Sequence, residues 1–187
     1  MLLAVILVVA AVEQELAGAG GAATLCCGIG PIEAAAATAA ALARSKVDAV
    51  VHVGIAGMRA DAGLQLLDTV IGDEAVYEDR AARGGPPRLG PDPRMLAAAR
   101  RALPGAAVRS IGTSARVGGT SGCGVEAMEG YAVLRAAELA GVPAIEVRVI
   151  SNEITESDRA RWRFDEAFAA VAALTGGLVE EVRRCVS

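Results

Sequence analysis

A few polar side chains set among apolar residues give this chain its chemical possibilities. Glu129 stands near the start of an Ala/Leu-rich helical pattern running from Glu126 to Ala140. Arg148 interrupts a short apolar run, Pro143 to Ile150, and Ser151-Asn152 follow at its end. Far upstream, Glu13 and Glu15 follow an almost continuously apolar start. Together these residues offer carboxylates that accept hydrogen bonds or a proton, a permanent cation, and an amide. Their placement matters as much as their type, because α/β sheets build ligand sites beyond the C-terminal ends of their strands. Plainer alternatives stand beside each. Glu129 also suits charge complementation at a helix N-terminus, and Glu13 and Glu15 also suit a solvated first helical turn.

The elements that must position these residues are legible as a βα alternation. Leu2 to Val9 reads as a strand covered on both faces, and Ala23 to Cys27 as a second. Gly28-Ile29-Gly30-Pro31 then turns into a helix, Ile32 to Arg44, with Pro31 suited to its first position. This GxG lacks the third glycine and the lysine of a phosphate loop, so it reads as a tight turn. Asp48 to Val53 is a buried strand ending in a Gly54-Ile55-Ala56-Gly57 turn, with His52 as a core or sheet histidine. A further strand lies within Gln65 to Val76, followed by a polar loop, Tyr77 to Pro91. Asp92 and Pro93 read as N-cap and first residue of a helix, Arg94 to Leu103. Ala107 to Ile111 is a short strand leading into a Gly-rich loop, Gly118 to Gly124. Gly141 and Pro143 end the Glu126–Ala140 helix, and Pro143 to Ile150 is a buried strand carrying Arg148. Glu153 to Asp158 is a polar loop, and Trp162 to Arg184 the closing helix, with Trp162, Phe164 and Phe168 read as core.

Composition bounds the function. The chain has 187 residues, enough for one domain with a substantial core. Hydrophobic residues make up 53% but aromatics only 3%, so the core must be Ala, Val, Leu and Ile, as in a sheet layered with Ala-rich helices. A net charge of −4 with no basic run disfavours nucleic acid. The apolar start is too short to span a bilayer. It also lacks a basic n-region, and glutamates stand where a signal cleavage site would be. Cys26, Cys27, Cys123 and Cys185 have no metal-site spacing and one histidine for company, so they read as reduced thiols of a cytoplasmic protein.

The stretch MEG, a helix, then VPAIEVRVISN resembles the signature of the nucleoside phosphorylase and nucleosidase superfamily. With Ser-Asn rather than Ser-Asp it most resembles the futalosine hydrolases. The resemblance covers Leu2 to Val182 and is strongest from Val125 to Trp162. It implies a three-layer α/β/α fold with a central twisted mixed sheet, forming a single catalytic domain over 1–187. It further implies a dimer or larger homo-oligomer, no metal and no organic cofactor.

It also implies roles. Glu15 matches the glutamate that polarises or deprotonates water, and Arg148 holds that water or orients Glu15. Met128-Glu129 matches a ribose-binding pair. Ala115, Arg116 and Val117 follow the strand that lines the base pocket. Gly57 and Ile55 belong to the Gly-(Ser or Ile)-Ala-Gly turn, Ile55 standing where many nucleosidases place a water-binding Ser. Asn152 discriminates the base, since hypoxanthine presents acceptors at O6 and N7 that an amide NH₂ serves, whereas adenine needs an acceptor for its amino group. Phosphate would be repelled by Glu13 and Glu15, so water is the expected nucleophile. The expected reaction is hydrolysis of futalosine to hypoxanthine and dehypoxanthine futalosine, within the menaquinone route. Its rivals are methylthioadenosine/S-adenosylhomocysteine nucleosidase, purine nucleoside phosphorylase and a non-catalytic nucleoside-binding subunit. Arg116 is either a cation for the benzoate-bearing side of futalosine or a solvated loop arginine.

Overall fold

The computed structural model describes residues 3–80, 85–120 and 122–187. Leu2 of the expected first strand, and 81–84 and 121 of the expected loops, lie outside them. The chain order is β1 (Ile6–Ala10), β2 (Ala23–Cys26), α1 (Pro31–Arg44), β3 (Ala49–Met58), β4 (Thr69–Tyr77), β5 (Arg88–Leu89), α2 (Pro93–Ala102), β6 (Ala107–Thr113), β7 (Val125–Ala127), α3 (Gly130–Leu139), β8 (Ala144–Glu153) and α4 (Phe164–Val186). Short 3₁₀ turns occupy Glu13–Leu16 and Arg159–Arg161.

All eight strands join one mixed sheet. β1 pairs in parallel with β2 and β3, and β3 in parallel with β8. β4 runs antiparallel to β8 and parallel to β6, while β7 bridges β6 and β3. The strands β3, β8, β4, β6 and β7 therefore close into a ring. Its filling is aliphatic: Ala56, Val70, Ile111, Val125, Ala127 and Ile150.

Alternation along the strands sorts side chains between two helical layers. Val51 and Val53 of β3, with Ile145, Val147 and Val149 of β8, pack toward α2 and α4. Leu7, Val9, Val50 and Ala144 face α1 and α3. The expected three-layer α/β/α arrangement is the observed one. Asp92 caps α2 by accepting the Arg94 N–H at 2.8 Å, with Pro93 as first residue, and Pro31 opens α1. The four cysteines are free thiols. No helix among the described residues is long and apolar enough to cross a membrane.

Several boundaries differ from the sequence expectation, three of them for one reason. The Gly54-Ile55-Ala56-Gly57 segment is not a turn, because β3 continues to Met58 in register with β8. Ser151-Asn152 likewise lie inside β8, not after it. The helix expected from Glu126 begins only at Gly130, because Val125–Ala127 pairs on both sides, with β6 and with β3. In each case ladder hydrogen bonds to distant strands override a local glycine or helix signal. Separately, Trp162 caps the 3₁₀ turn Arg159–Arg161 and precedes the closing helix, which starts at Phe164.

Leu178 on α4 is fully buried in the layer facing β3 and β8. Leu178→Ala should cost about 3 kcal/mol, combining lost transfer energy with a residual cavity, read as a lower midpoint in urea unfolding.

Candidate active site

The C-terminal halves of β3 and β8, the turn after β1, and the start of α3 surround a cavity of about 250 Å³. β8 is buried along nearly its whole length, so its polar residues need partners. Glu146 and Arg148, two apart on one strand, share the face toward α3. His52 pairs in register with Glu146, and Gly54 with Arg148.

Arg148 is 1% exposed and meets a partner at each part of its guanidinium. Its Nε donates to Glu146 Oε1 at 2.8 Å, and Nη2 lies 3.4 Å from Glu129 Oε2. Nη1 faces the Ile55 carbonyl at 3.5 Å, and Nη2 also meets His52 Nε2. The Nδ1–H of His52 donates to the Val9 carbonyl at 2.9 Å, which leaves Nε2 as the acceptor for Arg148. Burial and the adjacent guanidinium both hold His52 well below the usual histidine range, so it stays neutral. It is a sheet histidine, as its position suggested, but one that braces the site.

Glu15 is 2% exposed on the 3₁₀ turn after β1. Its Oε2 accepts the N–H groups of Ala11 (3.1 Å) and Val12 (3.3 Å), and its Oε1 that of Ile55 (2.9 Å). Burial pushes its carboxyl above the ordinary range, against the opposing pull of Arg148 and the backbone donors. Glu13, by contrast, is exposed. Gly54 is what leaves room for Glu15 and Arg148 to approach each other over β3. A Cβ there would stand 2.3 Å from Arg148 Nη1 and 2.8 Å from Glu15 Oε1.

Glu129 does not cap its own helix through its side chain. Its Oε1 accepts the Gly30 N–H at 3.0 Å, tying the Gly-Ile-Gly turn to the site, while Oε2 faces Arg148. The helix start is instead held by Thr113, whose Oγ1 accepts the Tyr131 N–H at 2.9 Å. At the other end of the cavity a register shift between β3 and β8 passes over Ser151, so that Gly57 faces Asn152. Such irregularities re-aim side chains. Ser151 Oγ donates to Asn152 Oδ1 at 2.8 Å, and Asn152 Nδ2 donates to the Glu153 carbonyl at 3.0 Å.

Of the residues expected from sequence, Glu15, Ile55, Gly57, Val117, Met128, Glu129, Arg148 and Asn152 line this cavity. Ala115 and Arg116 do not. They are exposed on a turn held by Asp79, which accepts the Ala115 N–H. Trp162, Phe164 and Phe168, expected as core, form the outer wall instead. The sequence reading also missed Arg159, over the Trp162 ring at 5.3 Å, and Glu126. Buried Glu126 accepts the N–H and hydroxyl of Thr120 at 2.8 Å and the Gly118 N–H, tethering the loop that carries Val117. Glu146 carried a signal in its i, i+2 spacing to Arg148 within an apolar run.

Comparison with known proteins gives the family and the fold. The family model "Phosphorylase superfamily" matches residues 12–184. The chain belongs to that superfamily. It is 34% identical to a futalosine hydrolase of Streptomyces coelicolor, over 82% of this chain and 77% of that protein. With a futalosine hydrolase of Thermus thermophilus the identity is 32%, over 82% and 79%. The fold is that of an S-adenosylhomocysteine nucleosidase from Streptococcus pyogenes, with a TM-score of 0.83 and 24% identity over 96% of this chain and 98% of that one. The chain is thus an enzyme of the superfamily's N-glycoside-hydrolysing, nucleosidase kind.

For Glu15 as the base of the reaction proposed below, activity is pH-dependent in a definite direction. The base must be ionised, and its carboxyl titrates above the ordinary 4.5, so kcat/KM should fall as pH drops through that raised value. Between the two values the folded protein binds more protons than the unfolded chain, so this group's contribution to stability declines as pH rises. A kcat/KM profile of Glu15→Gln should lose about 100-fold or more in activity together with the wild-type acidic limb.

Proposed function

We propose that the protein hydrolyses the N-glycosidic bond of futalosine, releasing hypoxanthine. The observation that carries this reading is the fixed amide of Asn152. The Glu153 carbonyl accepts from its Nδ2, which sets the amide flip, and Ser151 donates to its Oδ1, so one N–H of the amide is left to offer to a ligand. An acceptor on the base edge, O6 or N7 of a 6-oxopurine, suits that single free donor. Adenine's amino group would instead need an acceptor, and Ser151 already takes one lone pair of Oδ1. The amide stabilises the leaving base by hydrogen bonding as charge builds on it.

The remaining parts follow. A water held by Glu15 attacks the anomeric carbon as the sugar develops oxocarbenium character. Glu129 accepts from ribose hydroxyls, beside Met128. Phosphate as nucleophile is disfavoured, since the cation at the floor, Arg148, is committed to Glu146 and Glu129 and lies close to Glu15. The aromatic wall of Trp162, Phe164 and Phe168 gives the benzoate-bearing side of futalosine an apolar seat. Arg159 at its edge, rather than Arg116, supplies the cation for the carboxylate.

Futalosine, inosine and methylthioadenosine, each offered with and without phosphate, should give hypoxanthine from futalosine alone and independently of phosphate. Adenine release would overturn the role of Asn152, and phosphate dependence the choice of water. Arg159→Ala should raise KM for futalosine about tenfold with kcat little changed, since it removes binding common to ground and transition states. An unchanged KM would place the carboxylate elsewhere.

A further inference from the structure

The catalytic scheme above leaves one fully buried carboxyl without a task. Glu146 is 1% exposed at the centre of the sheet and is the carboxyl nearest Arg148. Its Oε1 takes the Nε–H, while Oε2 has no hydrogen-bond partner among the described residues. The start of α3 is shaped around it. A Cβ at Gly130 would fall 2.1 Å and 2.3 Å from the two carboxyl oxygens. A third carboxyl beside one guanidinium, with an orphaned oxygen, is costly where an apolar side chain would pack.

We propose that Glu146 is a positioning residue. By holding the Nε edge of Arg148 it turns the two Nη groups toward Glu15, Glu129 and the Ile55 carbonyl, and so sets the state in which Glu15 activates water. Without that acceptor the guanidinium is free to rotate about its long stem toward Glu129 alone. The inference rests on the nucleosidase reading only for what the oriented Arg148 accomplishes.

The charged and titratable groups facing this cluster come from every element packed on it. They are Glu15 on the turn after β1, Cys27 after β2, His52 on β3, Glu129 before α3, and Arg148 beside Glu146 on β8. Burial raises the Glu146 carboxyl above the ordinary range, with Arg148 opposing. Substitutions at 146 therefore have to separate charge from orientation.

Glu146→Gln and Glu146→Met do so, because both remove the charge at similar length and only Gln keeps an acceptor oxygen for Arg148 Nε. The Glu15 carboxyl, followed by ¹³C NMR in the ligand-free protein, should titrate about one unit higher in the Met variant than in the Gln variant. With futalosine, kcat should stay within about threefold of wild type for Gln and fall about 30-fold or more for Met, with KM nearly constant. Gly130→Ala gives an independent route, since its Cβ displaces Glu146 with no change of charge, and it should lower kcat and raise the Glu15 titration in the same sense. Equal Glu15 titrations in the folded Gln and Met variants, or a Gly130→Ala protein with wild-type kcat and titration, would overturn the proposal. A wild-type protein that turns over no nucleoside would refute the function instead, and the NMR comparison would still decide the role of Glu146.

Discussion

A single buried guanidinium governs the arrangement of this protein. Arg148 sits at the centre of β8, and a cation there survives only with partners that repay its desolvation. The fold supplies them from four directions: Glu146 from the same strand, Glu129 from the start of α3, the Ile55 carbonyl and neutral His52 from β3, with Glu15 close by. Other features become intelligible as consequences. Gly54 carries no side chain because one would enter the space between Arg148 and Glu15, and Gly130 carries none because one would enter Glu146. Even the histidine tautomer is set by the need to present a lone pair to Arg148.

Three carboxyls share that one positive charge, and this imbalance is where stability and chemistry part. Ionising all three would leave the cluster with excess negative charge in a low-dielectric interior. The buried carboxyls respond by titrating upward, Glu15 and Glu146 both being held above the ordinary range by burial with Arg148 opposing. A carboxyl held higher is a better proton acceptor once ionised, which suits the activation of water near neutral pH. An attacking phosphate would add more negative charge to the same place. The electrostatics that cost stability therefore also select the nucleophile.

Much of this was legible in the chain because the relevant side chains break the pattern around them. Arg148 in an apolar strand, a Met-Glu pair ahead of an Ala-rich helix, and glutamates after the first strand each stand out without reference to a structure. Boundaries were less legible where distant pairing decided them. Gly54 to Gly57 reads locally as a turn, and only the full ladder with β8 makes it strand. Glu126 and Ala127 read as the start of a helix, and only the pairing of Val125–Ala127 with β6 and β3 makes them strand. The aromatic wall was misjudged because Phe164 and Phe168 stand one helical turn apart, as on a core stripe, and Trp162 reads locally as part of the same helix. Which side of a helix faces a cavity is decided by the sheet it packs on, not by its own periodicity.

The cavity is also divided in how it is anchored, and the division separates chemistry from selection. Its floor, from Glu15 to Arg148 and Asn152, is held by strand ladders and by buried hydrogen bonds that cross between elements. Its outer wall belongs to the segment between β8 and α4, whose bonds are mostly internal: Trp162 Nε1 to the Glu156 carbonyl, Asp158 capping Ala160, and Arg161 to Glu156. That segment ties back to the sheet at both of its ends, through the Ile154 N–H to the Met58 carbonyl at 2.7 Å and the Arg163 N–H to the Ser151 carbonyl at 2.8 Å. Residues 156–162 between the ties can therefore vary in what they present to the cavity without disturbing Arg148 or its carboxyls. The second tie falls on Ser151, whose hydroxyl also meets the Asn152 amide, so the outer wall and Asn152 are registered to each other at that residue.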